Sequence, residues 1–288
     1  MLIVPGRFAF KLAYLGGGYH GFNRQPTEAT VEGVLLATLA SRRYLPPEPR
    51  PRVAARTDAG VSARCNVWAV DLEREPILSE LNHFLPPGVV AWAVARVDDA
   101  FDPRRSALGK TYAYFLDAVE PELDAALLRE AATLFEGTRD FSRFHRRDPS
   151  RPGAETTRTV DRVEVLPRDG GRVLEVRVRS RAFLWQQVRR MVAAMAAVAR
   201  GDLPLEVLAT WLDPEVPSAS NGGRPSPAPA RGLVLWDVEL SEPDALKFVV
   251  DGKAVESIVS FATAAASRAR ASSAALSAAA KSFKVDWS

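Results

Sequence analysis

The sequence predicts an α+β fold, in which helices pack on a largely antiparallel sheet. Some segments alternate apolar and polar residues with the two-residue period of a strand, and others carry apolar residues at helical spacing. The two kinds of segment do not alternate strictly, as the βαβ units of a parallel sheet require. A chain of 288 residues is long enough for one large domain or two ordinary ones.

The first part of the chain is predicted from alternation, helical spacing and helix-breaking residues. Thr30 stands where a helix N-cap is expected, and two prolines, Pro86 and Pro87, stop a short helix. The predicted elements are a strand at Phe8–Tyr14, a helix at Thr30–Ser41, a strand at Cys65–Leu72, a helix at Ile77–Leu85 and a strand at Val89–Val97.

The second part is predicted in the same way, with glycines ending two of its helices. The predicted elements are a strand at Lys110–Leu116, a helix at Glu122–Phe135 ended by Gly137, a hairpin of Thr159–Leu166 and Arg172–Ser180, a helix at Ala182–Arg200 with Gly201 at its C′ position, a helix at Pro204–Leu212 and a strand at Gly232–Leu240. The Pro- and Ser-rich stretch Asp213–Pro229 is predicted to be a loop. The Ala/Ser-rich stretch Ser257–Ser282 is predicted to form one or two helices that pack on the domain surface or on a second subunit, and the alternative is a basic tail that binds RNA.

Composition indicates a cytoplasmic globular protein without a metal site. Apolar residues make up 47% and charged residues 25%, and no apolar run reaches the length of a membrane span. We expect no signal peptide, because the first residues lack a basic region. One cysteine, Cys65, and three scattered histidines do not form a ligand set. Most of the basic residues are arginine, which permits a nucleic-acid partner without demanding one.

Asp58 is the acid with the most unusual surroundings. It lies in Val53–Ala63 (V-A-A-R-T-D-A-G-V-S-A), where a charged carboxylate is costly unless donors or a cation meet it. Gly60 can take a positive φ, which would turn the chain sharply and present Asp58 to a cleft. The alternative is a simple turn in which Asp58 bonds its own backbone, the commoner outcome for so short a pattern.

The longer pattern resembles the tRNA pseudouridine synthase A family. Arg56–Ala63 (R-T-D-A-G-V-S-A) resembles the family's catalytic-aspartate signature. Four further segments resemble family motifs in the expected order, and the resemblance covers roughly residues 7–240. These segments are Tyr14–Gln25, Phe101–Phe115, Phe135–Phe144 and Ala182–Met191.

The resemblance implies an isomerase that converts uridine to pseudouridine in tRNA, in the anticodon stem-loop at positions 38–40, without a cofactor. It implies a homodimer and two similar RRM-like halves that share a mixed, largely antiparallel sheet, with the active cleft between them. The expected divisions are residues 1–104, which carry the Asp58 loop, residues 105–242, and a helical extension at 243–288.

The resemblance also implies the site residues. The catalytic ones are Asp58, Tyr112 and Arg189, where Arg189 pairs with the aspartate and Tyr112 stacks on the target base. The substrate-binding ones are Arg56, which fills the space that the target uridine vacates, together with Thr57 and Phe183. The alternatives are a solvated helix charge for the arginine, which suits Arg190 better, and an ordinary core aromatic for the tyrosine, which suits Tyr114 better.

The densest basic run is Arg139–Arg151, which includes Arg146 and Arg147 and is interleaved with Phe141 and Phe144. Loops of this composition bind phosphates and stack bases, so Arg146 and Arg147 are predicted to contact tRNA. The alternative is a solvated loop that the two phenylalanines anchor.

Two other functions compete with the isomerase. A non-catalytic RNA-binding module of tandem RRM-like halves would carry RNP-type aromatics on its strands, and the sequence lacks that pattern. A glycoside or nucleoside hydrolase would normally need a second catalytic carboxylate, and neither Asp71 nor Asp102 lies in a motif that supports one.

Overall fold

A computed structural model describes residues 5–117, 123–149, 153–213, 224–241 and 246–256. It has the predicted α+β class, with a mostly antiparallel arrangement of strands and packed helices. The described residues divide into two compact units, one within residues 1–108 and 234–288 and the other within residues 109–233. The strand predicted to end the second half is thus grouped, from Val234 onward, with the first unit.

The strands and helices follow in chain order. They are β1 (Gly6–Tyr14), α1 (Val31–Ser41), β2 (Arg52–Val53), β3 (Ser62–Leu72), α2 (Leu78–Phe84), β4 (Val89–Val97), α3 (Pro103–Ser106), β5 (Ala107–Asp117), α4 (Ala125–Thr133), β6 (Gly137–Asp140), β7 (Thr157–Val160), β8 (Arg162–Arg168), β9 (Val173–Ser180), α5 (Gln187–Ala199), α6 (Leu205–Trp211), β10 (Leu233–Leu240) and β11 (Val249–Val250).

The first unit is built on β1, which pairs antiparallel with β3 on one side and with β4 on the other. The sheet of this unit has the order β11-β4-β1-β3-β10, and β2 also pairs with β3. β10 runs parallel to β3. Because β1 and β3 lie inside the sheet, they are buried along nearly their whole length, and Phe8, Phe10 and Trp68 are almost completely enclosed.

The helix α1 begins as predicted. The side chain of Thr30 accepts a hydrogen bond from the Gly33 N–H at 3.2 Å, which satisfies one of the N–H groups that a helix start leaves without a partner. Glu32 in its first turn is buried and accepts hydrogen bonds from the Trp68 indole and the Arg24 backbone. These bonds fasten the start of α1 to β3 and to the loop that precedes it.

The second unit joins β5, β9 and β8 in antiparallel order, with a separate pair of β6 and β7. The predicted hairpin is present, but its first strand is divided at Asp161, because β7 pairs with β6 and only β8 pairs with β9. Gly137 was predicted to end a helix and instead begins β6, with φ 85°. The helix α4 has already ended at Thr133.

The predicted start of α5 at Ala182 is wrong. The helix begins five residues later, because Gln186 has a left-handed backbone with φ 62° that no helix interior accommodates. The Gln187 side chain then accepts a hydrogen bond from the Leu184 N–H at 2.8 Å, which fixes the preceding turn. The other end is confirmed, since Gly201 follows the C-cap with φ 77°.

Residues 246–256 belong to the first unit. β11 pairs with β4, and the Asp251 N–H donates to the Trp92 carbonyl at 2.9 Å. The sequence did not predict this strand. The helices predicted within Ser257–Ser282 lie outside the described residues.

Candidate active site

Asp58 lies on a tight turn between β2 and β3. Its carbonyl accepts a hydrogen bond from the Val61 N–H at 3.1 Å, and Gly60 has φ 79°, as the sequence predicted for this position. Along this segment the burial changes at each residue: Arg56 is exposed, Thr57 is buried and Asp58 is half-buried. The acid is therefore partly withdrawn from solvent, while Arg56 extends into it.

A second loop, Leu15–Thr30, supports this turn from behind. The Tyr19 carbonyl accepts a hydrogen bond from the Gly60 N–H at 3.2 Å, and the Thr57 carbonyl accepts one from the Phe22 N–H at 3.1 Å. The two loops approach so closely that a Cβ at Gly21, which has φ 98°, would lie 3.0 Å from the Thr57 carbonyl oxygen. A glycine at this position of the first motif is thus required by the approach of the two backbones.

Three buried polar side chains link the turn to the sheet. The hydroxyls of Tyr14 and Thr57 are 2.8 Å apart, and the Asn66 amide donates to the Tyr14 hydroxyl at 3.1 Å and to the Ala55 carbonyl at 2.9 Å. Burial raises the pKa of Tyr14, so its hydroxyl stays protonated at neutral pH. That hydroxyl accepts from Asn66, and in its bond with Thr57 either hydroxyl can be the donor. We call these residues, Tyr14, Thr57 and Asn66, the hydroxyl network.

The roles of Tyr14 and Asn66 were not predicted from the sequence. Tyr14 opens the first motif, but its side chain points into the core, where it is 3% exposed. Asn66 stands among apolar residues in the strand Cys65–Leu72 and is 0% exposed. A single amide among the apolar residues of a strand indicates a side chain that is buried and hydrogen-bonded, so the sequence did contain a signal for Asn66.

In the second unit, Tyr112 lies on β5 and is half-buried. Its ring meets the Phe183 ring edge-on, with the centroids 5.3 Å apart, so these two predicted site residues lie together. Tyr114 is the core aromatic of the pair: it is buried, and its hydroxyl donates to the Pro229 carbonyl at 3.0 Å. Burial raises the pKa of Tyr114 to about 12, although Arg189 and Arg231 act to lower it.

Arg189 lies in the first turn of α5 and is held in place by the segment that follows the undescribed residues 214–223. Its Nε donates to the Ala228 carbonyl at 2.7 Å, while the Ala228 N–H donates to the Arg189 carbonyl at 3.0 Å. The view of Arg190 as a solvated helix charge is wrong, because it is half-buried and bonded. Its guanidinium donates to the Pro225 carbonyl at 2.6 Å and to the Gln186 side chain at 3.1 Å.

The basic run is anchored by its aromatics, as one of the two alternatives proposed. Phe141 and Phe144 are fully buried, and Phe144 meets Phe135 edge-on at 5.1 Å. Arg143 is also buried, so the run is not uniformly solvent-facing. Arg146 and Arg147 are exposed, and the density of the charge on the surface is therefore lower than the sequence suggests.

An exposed tryptophan, Trp185, adjoins this run and was not predicted from the sequence as a site residue. The Arg146 guanidinium lies 4.3 Å from the ring centroid of Trp185, and the Arg146 N–H donates to the Trp185 carbonyl at 2.8 Å. Trp185 is 41% exposed. Its position inside the apolar string A-F-L-W made a core residue the natural expectation.

Neither a metal cluster nor a bilayer-spanning helix occurs in the part of the chain that the structure describes. No group of three or more His, Cys, Asp or Glu side chains there is arranged to hold an ion. None of the helices there is long and apolar enough to cross a membrane. Cys65 is buried.

Comparison with known proteins identifies the family. A family model described as tRNA pseudouridine synthase matches residues 131–240. A protein of Natronomonas pharaonis named tRNA pseudouridine synthase A is 40% identical over 252 residues, which cover 86% of this chain and 90% of that protein. This chain belongs to the tRNA pseudouridine synthase A family.

Two other members of the tRNA pseudouridine synthase A family agree. The Thermococcus kodakarensis protein is 39% identical over 81% of this chain and 84% of its own length, and the Pyrococcus horikoshii protein is 38% identical over 87% and 90%. The family membership read from five short motifs is thus confirmed. The family model covers the positions of Phe183 and Arg189, while Asp58 and Tyr112 precede its match.

Proposed function

We propose that this protein isomerises uridine to pseudouridine in tRNA, with Asp58 as the catalytic carboxylate. The observation that carries the proposal is a half-buried acid on a turn that a second loop and the hydroxyl network hold in place, in a chain of this family. An exposed acid on a flexible turn would lack both the fixed position and the reduced solvation that a catalytic carboxylate needs.

The reaction needs neither an oxidant nor a cofactor. The bond between N1 of uracil and C1′ of ribose breaks, the base turns, a bond forms between C5 and C1′, C5 loses its proton and N1 gains one. An ionised carboxylate can serve in either of two ways: it attacks the nucleoside, or it removes a sugar proton as the glycosidic bond breaks. Both routes use the charge of Asp58, so both are lost with it.

For Tyr112, Phe183 and Arg189 we propose roles at the target base. The contact of Tyr112 with Phe183 fixes the plane of the phenol, which suits a ring that stacks on uracil and assists the loss of the C5 proton. Arg189 is proposed to stabilise negative charge during the reaction. The bonds that link it to Ala228 support this role, because a guanidinium that the fold holds need not be reorganised during the reaction.

For Arg56, Thr57, Arg146 and Arg147 we propose roles in tRNA binding. Arg56 is exposed beside Asp58 and can fill the space that the extruded uridine leaves. Thr57 acts through the hydroxyl network. Arg146 and Arg147 are exposed and contact phosphates.

Several finer features are proposed from the family resemblance. They are modification at positions 38–40 of the anticodon stem-loop, a homodimer, a cytoplasmic location and the RRM-like character of each half. Mapping of pseudouridine in unmodified tRNA after incubation with the protein tests the positions, and sedimentation equilibrium tests the dimer. A non-catalytic RNA-binding module would bind the same tRNA and leave every uridine unchanged.

The decisive experiment compares Asp58→Asn with Asp102→Asn. Asp102 lies in the same unit, where its side chain caps α3 by accepting from the Arg104 N–H at 2.8 Å, and asparagine can cap equally well. We expect Asp58→Asn to lose at least ~100-fold in single-turnover rate and to keep its tRNA affinity, and Asp102→Asn to match the unmodified protein. Pseudouridine formed by Asp58→Asn at an undiminished rate would remove Asp58 from the mechanism.

A parallel pair tests Arg189. Arg189→Ala is expected to lose about 100-fold in single-turnover rate, because a preorganised charge is removed from the reaction. Arg129→Ala removes a charge from the exposed face of α4 in the same unit and should have no effect on that rate. If Arg189→Ala also kept the rate of the unmodified protein, Arg189 would have no role in the chemical step.

A further inference from the structure

At the N-terminal end of α5 the second unit gathers Arg146, Arg190 and Arg224 beside Arg189, and of these the proposed catalysis uses only Arg189. Three segments meet there through backbone and side-chain hydrogen bonds. Arg146 N–H donates to the Trp185 carbonyl at 2.8 Å, and Arg190 Nη1 donates to the Pro225 carbonyl at 2.6 Å. The Ala228 N–H donates to the Arg189 carbonyl at 3.0 Å, so the segment that carries Arg224 is held beside the helix start.

The charges at this end of the helix repel one another. Burial lowers the pKa of Arg190, and Arg224, Arg189 and Arg146 lower it further. Burial also lowers the pKa of Arg224, with contributions from Arg147 and Arg143. The first turn of the 13-residue helix carries no acidic residue, so the positive end of the helix dipole adds to this excess. A bound anion would relieve this repulsion.

Arg190 retains a donor that no described residue uses. Its Nε is buried and has no hydrogen-bond partner among the described residues, although two other donors of the same guanidinium are bonded. A buried guanidinium N–H without an acceptor is costly, and a phosphate oxygen would supply one. The two bonded donors fix the orientation of the fork before any ligand arrives.

Trp185 adds a second kind of recognition at the same place. It is 41% exposed, and the Arg146 guanidinium lies 4.3 Å from its ring centroid. An exposed indole beside arginines combines a stacking face with a source of phosphate contacts, which is how proteins bind unpaired nucleotides. A purely phosphate-bearing ligand, such as a phosphopeptide or a lipid head group, would make no use of the indole.

We propose that Arg190, Arg224 and Trp185 form a subsite for one unpaired nucleotide of the RNA, in which the arginines bind the phosphate and the indole stacks on the base. The inference rests on the proposed function for the identity of the RNA as tRNA. The subsite includes neither Asp58 nor Tyr112, and it goes beyond the phosphate contacts of Arg146 and Arg147. It therefore contributes to affinity and placement of the strand, and not to the chemical step.

The test uses Arg224→Gln, because Arg224 is exposed and its replacement leaves the packing of the unit intact. Equilibrium binding of unmodified tRNA is measured over a series of salt concentrations. We expect the slope of log Kd against log salt to fall by about 1, as for the loss of one phosphate contact. Arg162→Gln is the matched control: Arg162 is exposed on β8 of the same unit and pairs with Glu164 at 2.8 Å. Its slope should not change.

Trp185→Leu tests the base contact independently. It keeps an apolar side chain and removes the aromatic face, so affinity at fixed salt should fall about fivefold to 100-fold while the salt slope stays the same. An unchanged slope in Arg224→Gln, or an equal fall in Arg162→Gln, overturns the phosphate site. Unchanged affinity in Trp185→Leu overturns the stacking.

Single-turnover measurements on the same proteins separate this inference from the proposed function. At saturating tRNA, Arg224→Gln and Trp185→Leu should form pseudouridine within about twofold of the unmodified rate, because neither residue touches the reacting atoms. If the unmodified protein forms no pseudouridine while the binding differences appear, the proposed function fails and the subsite stands. If pseudouridine forms and the variants bind like the unmodified protein, the subsite fails and the function stands.

Discussion

Replacing Tyr14 by Phe should slow catalysis without weakening tRNA binding. The change removes one oxygen atom from the hydroxyl network, which joins Thr57 on the Asp58 turn to Asn66 on β3. The Tyr14 ring and its contact with the Phe22 ring, at a centroid distance of 5.8 Å, remain. Any effect on the reaction must therefore pass through the position of the turn.

The size of the effect follows from the partners that are left behind. The Thr57 hydroxyl loses its bond at 2.8 Å, and the Asn66 amide keeps only its bond to the Ala55 carbonyl. Both side chains are buried, so water cannot replace the missing oxygen without rearrangement. A buried polar group that loses its partner costs ~1–3 kcal/mol, and we expect a fall of about 2 kcal/mol in the free energy of unfolding. If about 1.4 kcal/mol of the disturbance reaches the reacting geometry, the rate falls about tenfold.

Tyr44→Phe is the matched control. Tyr44 is equally buried in the same unit, and its hydroxyl also makes two hydrogen bonds, donating to Glu80 at 2.7 Å and accepting from the Ile77 N–H at 3.3 Å. It joins α2 to the residues after α1 and has no bond to the Asp58 turn. Glu80 is half-buried and keeps its bond to Arg42, so Tyr44→Phe should lose no more stability than Tyr14→Phe. Because Tyr44 has no bond to the Asp58 turn, a difference in turnover between the variants shows what the network does for the turn.

The assay is single-turnover pseudouridine formation with the protein in excess over tRNA, together with chemical unfolding and equilibrium tRNA binding. Tyr14→Phe should show the slower turnover, Tyr44→Phe should stay within about twofold of the unmodified protein, and both should bind tRNA normally. Equal turnover in the two variants would show that the hydroxyl network stabilises the fold but does not position the Asp58 turn for catalysis.

Two further predictions follow from surface features. Replacing Arg146 and Arg147 together by Ala should lower the salt slope of tRNA binding by up to about 2, and an unchanged slope would identify the two arginines as solvated charges. Truncation before Pro243 should preserve the chemical step. It should lower solubility relative to a chain ending at Glu256, because it removes β11 and leaves the edge of β4 unpaired. Soluble truncated protein that keeps its oligomeric state and loses turnover would contradict this prediction.

The strands could be predicted because their signal is local. The strand predicted at Val89–Val97 has the same ends in the structure, and that at Phe8–Tyr14 differs by two residues, since alternation and breakers fix both ends. The start of α5 could not be predicted in this way. The string A-F-L-W before it has helical spacing, and the left-handed Gln186 that excludes a helix there depends on bonds made by Gln187 and Arg190.

Only those features of the candidate site that depend on local motifs and turn geometry could be predicted from the sequence. The positive φ at Gly60 followed from the sequence, because a turn at that position requires it. The role of Asn66 did not, since its partners Tyr14 and Ala55 are distant in the chain and only the pairing of β1 with β3 brings the first of them near. A buried amide requires hydrogen-bond partners, but only the tertiary structure determines which residues these are.

The sequence also does not predict which arginines are exposed and which are held by the fold. In the sequence, Arg143, Arg147 and Arg190 are equivalent charges in basic stretches. In the structure the first is buried, the second is exposed and the third is held by backbone and side-chain acceptors. A guanidinium that the protein already orients loses less conformational entropy on meeting a phosphate than one that moves freely in water. For this reason we propose that fixed arginines such as Arg190, more than the density of charge along the chain, determine where the RNA strand binds.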